Sequence, residues 1–445
     1  MPDHAISTDS AVQAQLDRLT MLSPGRDVLG LERIAALLDR LGNPHHHLPP
    51  VFHVAGTNGK GSTCAFLRSA IEATGMTTHV YSSPHLVRFN ERIRVAGRLI
   101  EDGILASLLT EVLDHAEGLQ ASFFEVTTAV AFLAFARTPA DACIVEVGLG
   151  GRLDATNVLV KPVACGIASL GIDHEAFLLA PEVGTPNAPL DRIAFEKAGI
   201  AKAGSPLLTQ KYTASMSDTI LETAARTGAK LMARGTLWDA AAYEGRLHYR
   251  DENGKLTLHL PRMSGSHQAD NAALAIAMLR HQTALNIPEA ALSAAMEWTR
   301  WPARMQLLAA GPVTAQLPEN SNIWLDGGHN PDAGDAIAKT LESGPQVHVI
   351  LGMLKNKDAM GFIKPFAAKI VSLHAVPVPG HEHHDPEDLC RLVQDELGIV
   401  NASPVNNVST ALARIAAEGQ PGDLLICGSL YLAGEVLRAN NQIPD

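Results

Sequence analysis

The residues best equipped for chemistry cluster between positions 51 and 74, in VFHVAGTNGKGSTCAFLRSAIEAT. An apolar run ends in Gly56-Thr57-Asn58-Gly59-Lys60-Gly61-Ser62-Thr63. A helical pattern follows, with Phe66, Ala70 and Ala73 on one face and Leu67 and Ile71 beside them. Glycines in such a loop let successive backbone N–H groups curl around an anion, and the amino end of the helix adds partial positive charge. A lysine placed as Lys60 reaches the terminal phosphates of a nucleotide. The strict pattern G-x-x-x-x-G-K-[ST] is not met, because Val54 stands at its first glycine and Gly61 at its hydroxyl position. Strand, loop and helix nevertheless come in the required order. Thr57, Asn58, Gly59, Lys60, Gly61 and Ser62 are therefore read as a phosphate loop for a nucleotide. Such a loop serves kinases, switches, motors and ligases alike, so the reaction stays open at this point.

Holding that loop takes a sheet. From Val51 onward, short β-rich runs alternate with helical patterns: VFHVA (51–55), a helix from about Ser62 to Thr74, THVY (78–81), ACIVEV (142–147) and VACGIA (163–168). This alternation is the mark of βαβ units and a mostly parallel, buried sheet. The pattern restarts with NIWLD (322–326), VHVILG (347–352), IVSLHAV (370–376) and DLLICG (423–428), and the polar segment MEWTRWPARMQ (296–306) lies between the two series. The fold class read from this is α/β in two domains. Residues 1–298 form a phosphate-loop ATPase-type domain with a mostly parallel sheet, and residues 299–445 a Rossmann-like α/β domain, with a hinge near 296–303.

Composition narrows the partners. The chain has 445 residues, 46% of them apolar, enough for two or three cores, and a net charge of −12, which argues against nucleic acid or an anionic membrane as partner. Cys64, Cys143, Cys165, Cys390 and Cys427 are scattered without a C-x-x-C pair, so neither a disulfide framework nor structural zinc is expected. No export signal or membrane span is read, and a cytoplasmic monomer is expected. His45 to His47 read as a solvated loop, and HEHHD (381–385) as an exposed loop in preference to a metal tract. The Pro-rich segment 178–192 is expected to be an extended surface loop.

GTNGKGS (56–62), YSSPHLVRFNERIRV (81–95), FFEVTTAVAF (123–132), VEVGLGGRLDATN (145–157), GIDHEAFL (171–178), FEKAGI (195–200) and LDGGHNP (325–331) together resemble the folylpolyglutamate synthase family, in particular its bacterial branch with dihydrofolate synthase activity, related to the Mur-type amide ligases. The matches run in family order from LGLER (29–33) to CGSLYLAGEV (427–436). The resemblance implies an ATP-dependent ligase that joins L-glutamate to 7,8-dihydropteroate and to tetrahydrofolate through an acyl phosphate. A carboxylate is a poor electrophile, and phosphorylation gives it a leaving group; the protein supplies positioning and charge neutralisation.

Ser83, Glu146 and His174 follow or end predicted strands, so in a parallel sheet they gather at its carboxyl edge. By resemblance they are Mg²⁺ ligands, with up to two ions bound. Lys197, on a helical stretch where lysines are usually solvated, corresponds to a family lysine that is carbamylated, which changes its charge from +1 to −1 and lets it help hold the second ion. Asn271, Arg304 and Asp326 correspond to ATP contacts, and His329 to a group near the point of amine transfer; Asn330 and Pro331 read as the start of a helix. For the pterin, the resemblance points to Asp27, Val28, Leu29 and Gly30, to Ser122, Phe123, Phe124 and Glu125, and to Leu153, Asp154 and Ala155. Phe123 and Phe124 would form a flat wall and Glu125 would accept pterin N–H donors. Val126 and a long loop before FEKAGI depart from the family pattern. The rival readings are a polyglutamylating enzyme alone, a cell-wall Mur ligase, and a phosphate-loop switch without ligase activity. Two α/β domains closing over ATP are the expected working form.

Overall fold

The computed structural model describes residues 5–22, 29–318, 321–418 and 423–445. The chain divides into two compact units, one comprising Met1–Arg262, Gln268–Thr299 and Asp445, the other Met263–His267 and Arg300–Pro444.

The first unit is built on β1 (Val51–Ala55), β2 (Thr78–Tyr81), β3 (Ile93–Val95), β4 (Arg98–Leu99), β5 (Ala142–Glu146), β6 (Ala164–Ile167), β7 (Pro206–Thr209) and β8 (Lys230–Ala233), in the order β4-β3-β2-β5-β1-β6-β7-β8. From β2 to β8 all neighbours are parallel, while β3 and β4 add an antiparallel edge. β1, β2, β5 and β6 are buried at every position, mostly by apolar residues, as strands covered on both faces are. One face packs on the helices Ser10–Leu22, Glu32–Arg40, Asp102–His115 and Phe123–Arg137 and, toward β6 and β7, on Pro189–Ala198 and Ala214–Thr227, while on the opposite face Gly166 of β6 lies against Met278 of the helix His267–Arg280.

Beyond β8 comes a small antiparallel sheet of β9 (Trp238–Tyr243), β10 (Arg246–Asp251) and β11 (Gly254–His259). Its first turn, Glu244-Gly245, has φ of 49° and 69°, the paired left-handed residues that a two-residue hairpin turn needs. Trp238, Leu247, Tyr249, Leu256 and Leu258 are buried on one face, and Asp251 joins the sheet to the helix His267–Arg280 through Arg280 Nε at 2.6 Å.

The second unit carries β12 (Gln306–Leu307), β13 (Ile323–Leu325), β14 (Val347–Leu351), β15 (Ile370–Ala375), β16 (Ala402–Pro404) and β17 (Asp423–Cys427), ordered β12-β13-β17-β14-β15-β16, with only β12 antiparallel. Val347, Val349 and Leu351 face a core shared with the helices Pro331–Leu341 and Pro386–Leu397.

Both series of strands read from the sequence are present within a residue at either end. The helix after the phosphate loop begins at Lys60 instead of Ser62. Segment 178–192 is exposed for most of its length, but it is a loop only to Ala188, since Pro189 opens the helix Pro189–Ala198 with its fixed φ and missing N–H at the first position. No helix among the described residues is long and apolar enough to cross a membrane.

Candidate active site

Because β2, β5, β1 and β6 are adjacent and parallel, their carboxyl ends deliver Ser83, Glu146, the phosphate loop and segment 168–174 to one edge of the sheet, in that spatial order. The phosphate loop is tightly specified. Gly56 has φ 152°, and a Cβ there would lie 2.9 Å from the Cβ of Ala168. Gly59 has φ 84°, and a Cβ would fall on Oδ1 of Asn271. The segment after β6 is stitched to the loop: Thr57 N donates to Ser169 O at 2.7 Å, Thr57 Oγ1 to Gly171 O at 2.8 Å, and Ser169 Oγ to Asn58 O at 3.1 Å.

Two lysines converge on one carbonyl. Lys60 Nζ donates to Gly56 O at 3.1 Å and to Thr57 O at 3.2 Å, and Lys197 Nζ donates to the same Gly56 O at 2.9 Å. Lys197 is 4% exposed, and burial together with the nearby Lys60 charge brings its pKa from 10.5 down to about 7, against the opposing pull of Asp173, Asp154 and Glu196. Its helix is held in place by Glu196, which is paired to Arg152 at 3.0 Å and to Arg192 at 2.9 Å. Gly151 packs so close to this helix that a Cβ would meet Glu196 O at 2.8 Å.

Glu146 ends β5 and is 4% exposed; the backbone N–H of Ser83 lies 3.4 Å from its Oε2. A hydroxyl and a carboxylate together suit a hard cation that prefers oxygen. His174 stands at φ 54° at the head of the short helix Glu175–Leu178, its side chain 44% exposed and its N–H bonded to Asp173 Oδ1 at 2.8 Å. Among the described residues no three His, Cys, Asp or Glu side chains form a metal-binding group. In HEHHD, His381 Nδ1, His383 Nδ1 and His384 Nε2 lie 2.7–2.9 Å from backbone carbonyls, and Asp385 caps a helix.

Asn271 is 6% exposed and its Nδ2 donates to Gln268 Oε1 at 3.0 Å, which fixes the amide so that Oδ1 points to Gly59. Gln268, fully buried, and Asp173 belong to this neighbourhood and were not singled out from sequence; each lies within three residues of a residue that was.

The residues matched to the pterin divide into two kinds. Asp27 and Val28 lie outside the described residues. Leu29 and Gly30 precede the helix Glu32–Arg40, whose Arg33 holds both carboxylate oxygens of Glu125, each at 3.0 Å. Glu125 also accepts the Ser122 N–H at 2.6 Å while Ser122 Oγ accepts the Glu125 N–H at 3.2 Å, a capping box for the helix Phe123–Arg137. The Glu125 oxygens thus serve Arg33 and the helix start. Phe123 is a core residue, edge-on to Phe89 at 6.0 Å with Arg92 5.5 Å from its ring centre, whereas Phe124 is half-buried beside Tyr81 at 5.8 Å, against Gly148 at the end of β5. Asp154 is buried, which pushes its carboxyl pKa up; it accepts the Leu149 N–H at 2.8 Å and the Thr156 hydroxyl, and so shapes the turn carrying Leu153 and Ala155.

In the second unit, Asp326 follows directly on β13; its Oδ2 accepts the Met305 N–H and its Oδ1 the Gly328 N–H, both at 2.7 Å. Arg304 donates from Nη1 to Ala303 O at 2.8 Å, and His329 Nδ1 lies 3.0 Å from Gly327 O. Asn330 caps the helix Pro331–Leu341 by accepting the Ala333 N–H at 3.0 Å, as read.

Residues 304–430 match the family model described as Mur ligase, glutamate ligase domain. The chain is 32% identical to a dihydrofolate synthase/folylpolyglutamate synthase of Escherichia coli, covering 92% of this chain and 90% of that one. It is 31% identical to a probable bifunctional folylpolyglutamate synthase/dihydropteroate synthase of Halobacterium salinarum, of which it spans about half, 49% of the length. Among solved structures, Escherichia coli FolC in complex with DHPP and ADP superposes with a TM-score of 0.83 at 31% identity, over 97% of this chain and 98% of that one. A bifunctional folylpolyglutamate synthase/dihydrofolate synthase with Mn, AMPPNP and L-glutamate bound gives 0.81 at 29% identity, over 97% and 99%.

Proposed function

Since the chain belongs to the dihydrofolate synthase/folylpolyglutamate synthase family, we propose that it is an ATP- and Mg²⁺-dependent ligase adding L-glutamate to 7,8-dihydropteroate and to tetrahydrofolate. The observation that carries the reading is the meeting of a phosphate loop, two lysines on Gly56 O and the Ser83–Glu146 pair at one sheet edge. The substrate carboxylate takes the γ-phosphoryl group of ATP, the glutamate amine attacks the acyl carbon, and the new C–N bond forms as phosphate leaves. Lys60 leaves its loop carbonyls for the phosphate oxygens, with the N–H groups of 57–62 around them. Ser83, Glu146 and His174 would hold Mg²⁺, which supplies neutralisation of the triphosphate charge.

Lys197 is the candidate for carbamylation. A pKa of about 7 leaves a large share of its amine neutral at physiological pH, and only a neutral amine forms an N–C bond with CO₂, releasing a proton. Asn271, Arg304 and Asp326 are assigned to the nucleotide and His329 to amine transfer. Phe124, with 27–30 and 153–155, is assigned to the pterin. The five cysteines are unpaired and buried, in keeping with a reducing cytoplasm, and a monomer is proposed.

The test is phosphate release with ATP, Mg²⁺ and L-glutamate and, in parallel, 7,8-dihydropteroate, tetrahydrofolate, a Mur-pathway UDP-sugar or no acceptor, with mass spectrometry of the products. Gain of one glutamate on both pteridines is the expected outcome. Gain on tetrahydrofolate alone would reduce the enzyme to the polyglutamylating activity, and phosphate release without an amide would reject the ligase reading.

A further inference from the structure

The two residues flanking Arg304 are both non-glycine and both left-handed, Ala303 at φ 53° and Met305 at φ 42°. Both are buried, at 0% and 2% exposed. A side chain in this region is strained, and the strain persists only where the surroundings overdetermine the backbone. Here they do so on three sides. The Ala303 N–H is taken by Gln306 Oε1 at 2.9 Å, the Ala303 carbonyl by the Gly327 N–H at 2.9 Å, and the Met305 N–H by Asp326 Oδ2 at 2.7 Å. The guanidinium then folds back onto the Ala303 carbonyl at 2.8 Å, so the turn fixes both ends of the Arg304 side chain.

We infer that Gln306 is a positioning residue for Arg304: its side-chain carbonyl and the Asp326 carboxylate clamp a strained turn that presents the guanidinium in one orientation. The inference rests on the assignment of Arg304 to the nucleotide. A cation that stabilises a transferring phosphoryl group gains most when its orientation is set before the substrate arrives, because no reorganisation is then needed at the moment of reaction. Removing the Gln306 acceptor leaves the buried Ala303 N–H unsatisfied and frees Ala303 to return to negative φ, which swings the following residue. Gln306 is not itself assigned to the nucleotide, and its effect on ATP turnover passes through the turn that carries Arg304. Asp326 differs in this respect, since as a predicted nucleotide contact its loss would mix two effects. Gln306 is therefore the cleaner probe.

The experiment uses the full chain with Arg304→Ala, Gln306→Ala, Gln306→Glu and the double variant Gln306→Ala/Arg304→Ala. Steady-state kinetics are measured in ATP at saturating pteridine and glutamate, and ADP affinity by calorimetry. Arg304→Ala should lower kcat/KM for ATP at least a hundredfold. Gln306→Ala should lower it three- to tenfold with the KM for the pteridine unchanged, and Gln306→Glu, which keeps an oxygen for the Ala303 N–H, should restore it. The double variant should be no worse than Arg304→Ala alone. Kinetics of Gln306→Ala within twofold of the parent, or a double variant whose losses multiply, would overturn the positioning role while leaving Arg304 on the nucleotide. Parental ATP kinetics in Arg304→Ala would reject the assignment itself and the inference with it. Should Gln306→Ala prove unstable, Gln306→Met, which keeps the stem and removes the acceptor, reads the same quantities.

Discussion

Lys197 should make the stability of the first unit depend on pH in a direction opposite to that of an ordinary ion-paired lysine. In the unfolded chain this side chain titrates near 10.5, and in the folded protein at about 7, lowered first by burial and then by the Lys60 charge. Between those values the unfolded state holds a proton that the folded state lacks, so stability rises with pH across the window from 7 to 10.5. Below pH 7 both states are protonated, and the full penalty, about 5 kcal/mol at ~1.36 kcal/mol per unit, is present and constant. Lys197→Met keeps the length of the side chain and removes the charge. In CO₂-depleted, Mg²⁺-free buffer its urea-unfolding transition, followed by circular dichroism, should lie well above that of the parent at pH 7, and the two should draw together as the pH approaches 10. Parallel curves for parent and variant from pH 7 to 9.5 would refute a depressed Lys197 pKa. The same shift raises the neutral amine at pH 7 from roughly one lysine in 3,000 to about half. Labelled bicarbonate should therefore give a carbamate signal in the parent that Lys197→Met lacks, and carbamate formation should stabilise the parent by mass action.

Gly59→Ala should raise the KM for ATP at least tenfold, because the added carbon displaces Asn271 Oδ1 and the left-handed backbone adds about 1 kcal/mol of strain; a KM near that of the parent would remove Asn271 from the nucleotide site. Glu146→Gln should sharply raise the Mg²⁺ concentration for half-maximal turnover, and an unchanged Mg²⁺ curve would mean that this carboxylate holds no ion. Glu125→Gln should cost about 1–3 kcal/mol of stability through the lost charge partner of Arg33, with the KM for dihydropteroate little changed. A variant of parental stability with a raised dihydropteroate KM would return Glu125 to the pterin.

The buried strands were legible because strands covered on both faces read as nearly continuous apolar runs, as in ACIVE and VHVIL with one polar residue each, and turn residues bound them. The hairpins of residues 238–259 were equally written, in the alternation of Leu247 with Tyr249 and of Leu256 with Leu258 and in the Glu244-Gly245 turn, yet a reading tuned to βαβ units passes over them. The phosphate loop followed from local order alone, whereas Lys197 did not. Its burial depends on Gly151 and Arg152, some 45 positions earlier in the chain, closing over its helix. At Glu125 the S-x-x-E spacing from Ser122 already described a capping box, a local signal that the resemblance to a pterin ligand overshadowed. The left-handed pair around Arg304 has no local signal, since neither alanine nor methionine advertises that conformation.

The stitching of Thr57 and Asn58 to Ser169 and Gly171 bears on how fast a nucleotide is captured. A glycine-rich loop left to itself samples many shapes, and an incoming phosphate must wait for the right one. Here strand β6 lends its following segment as a splint, so the entropy of ordering the loop is surrendered during folding and none of it is charged to the ligand. Substitutions at Ser169 or Gly171, which belong to no recognisable nucleotide motif, would then slow capture without touching a phosphate.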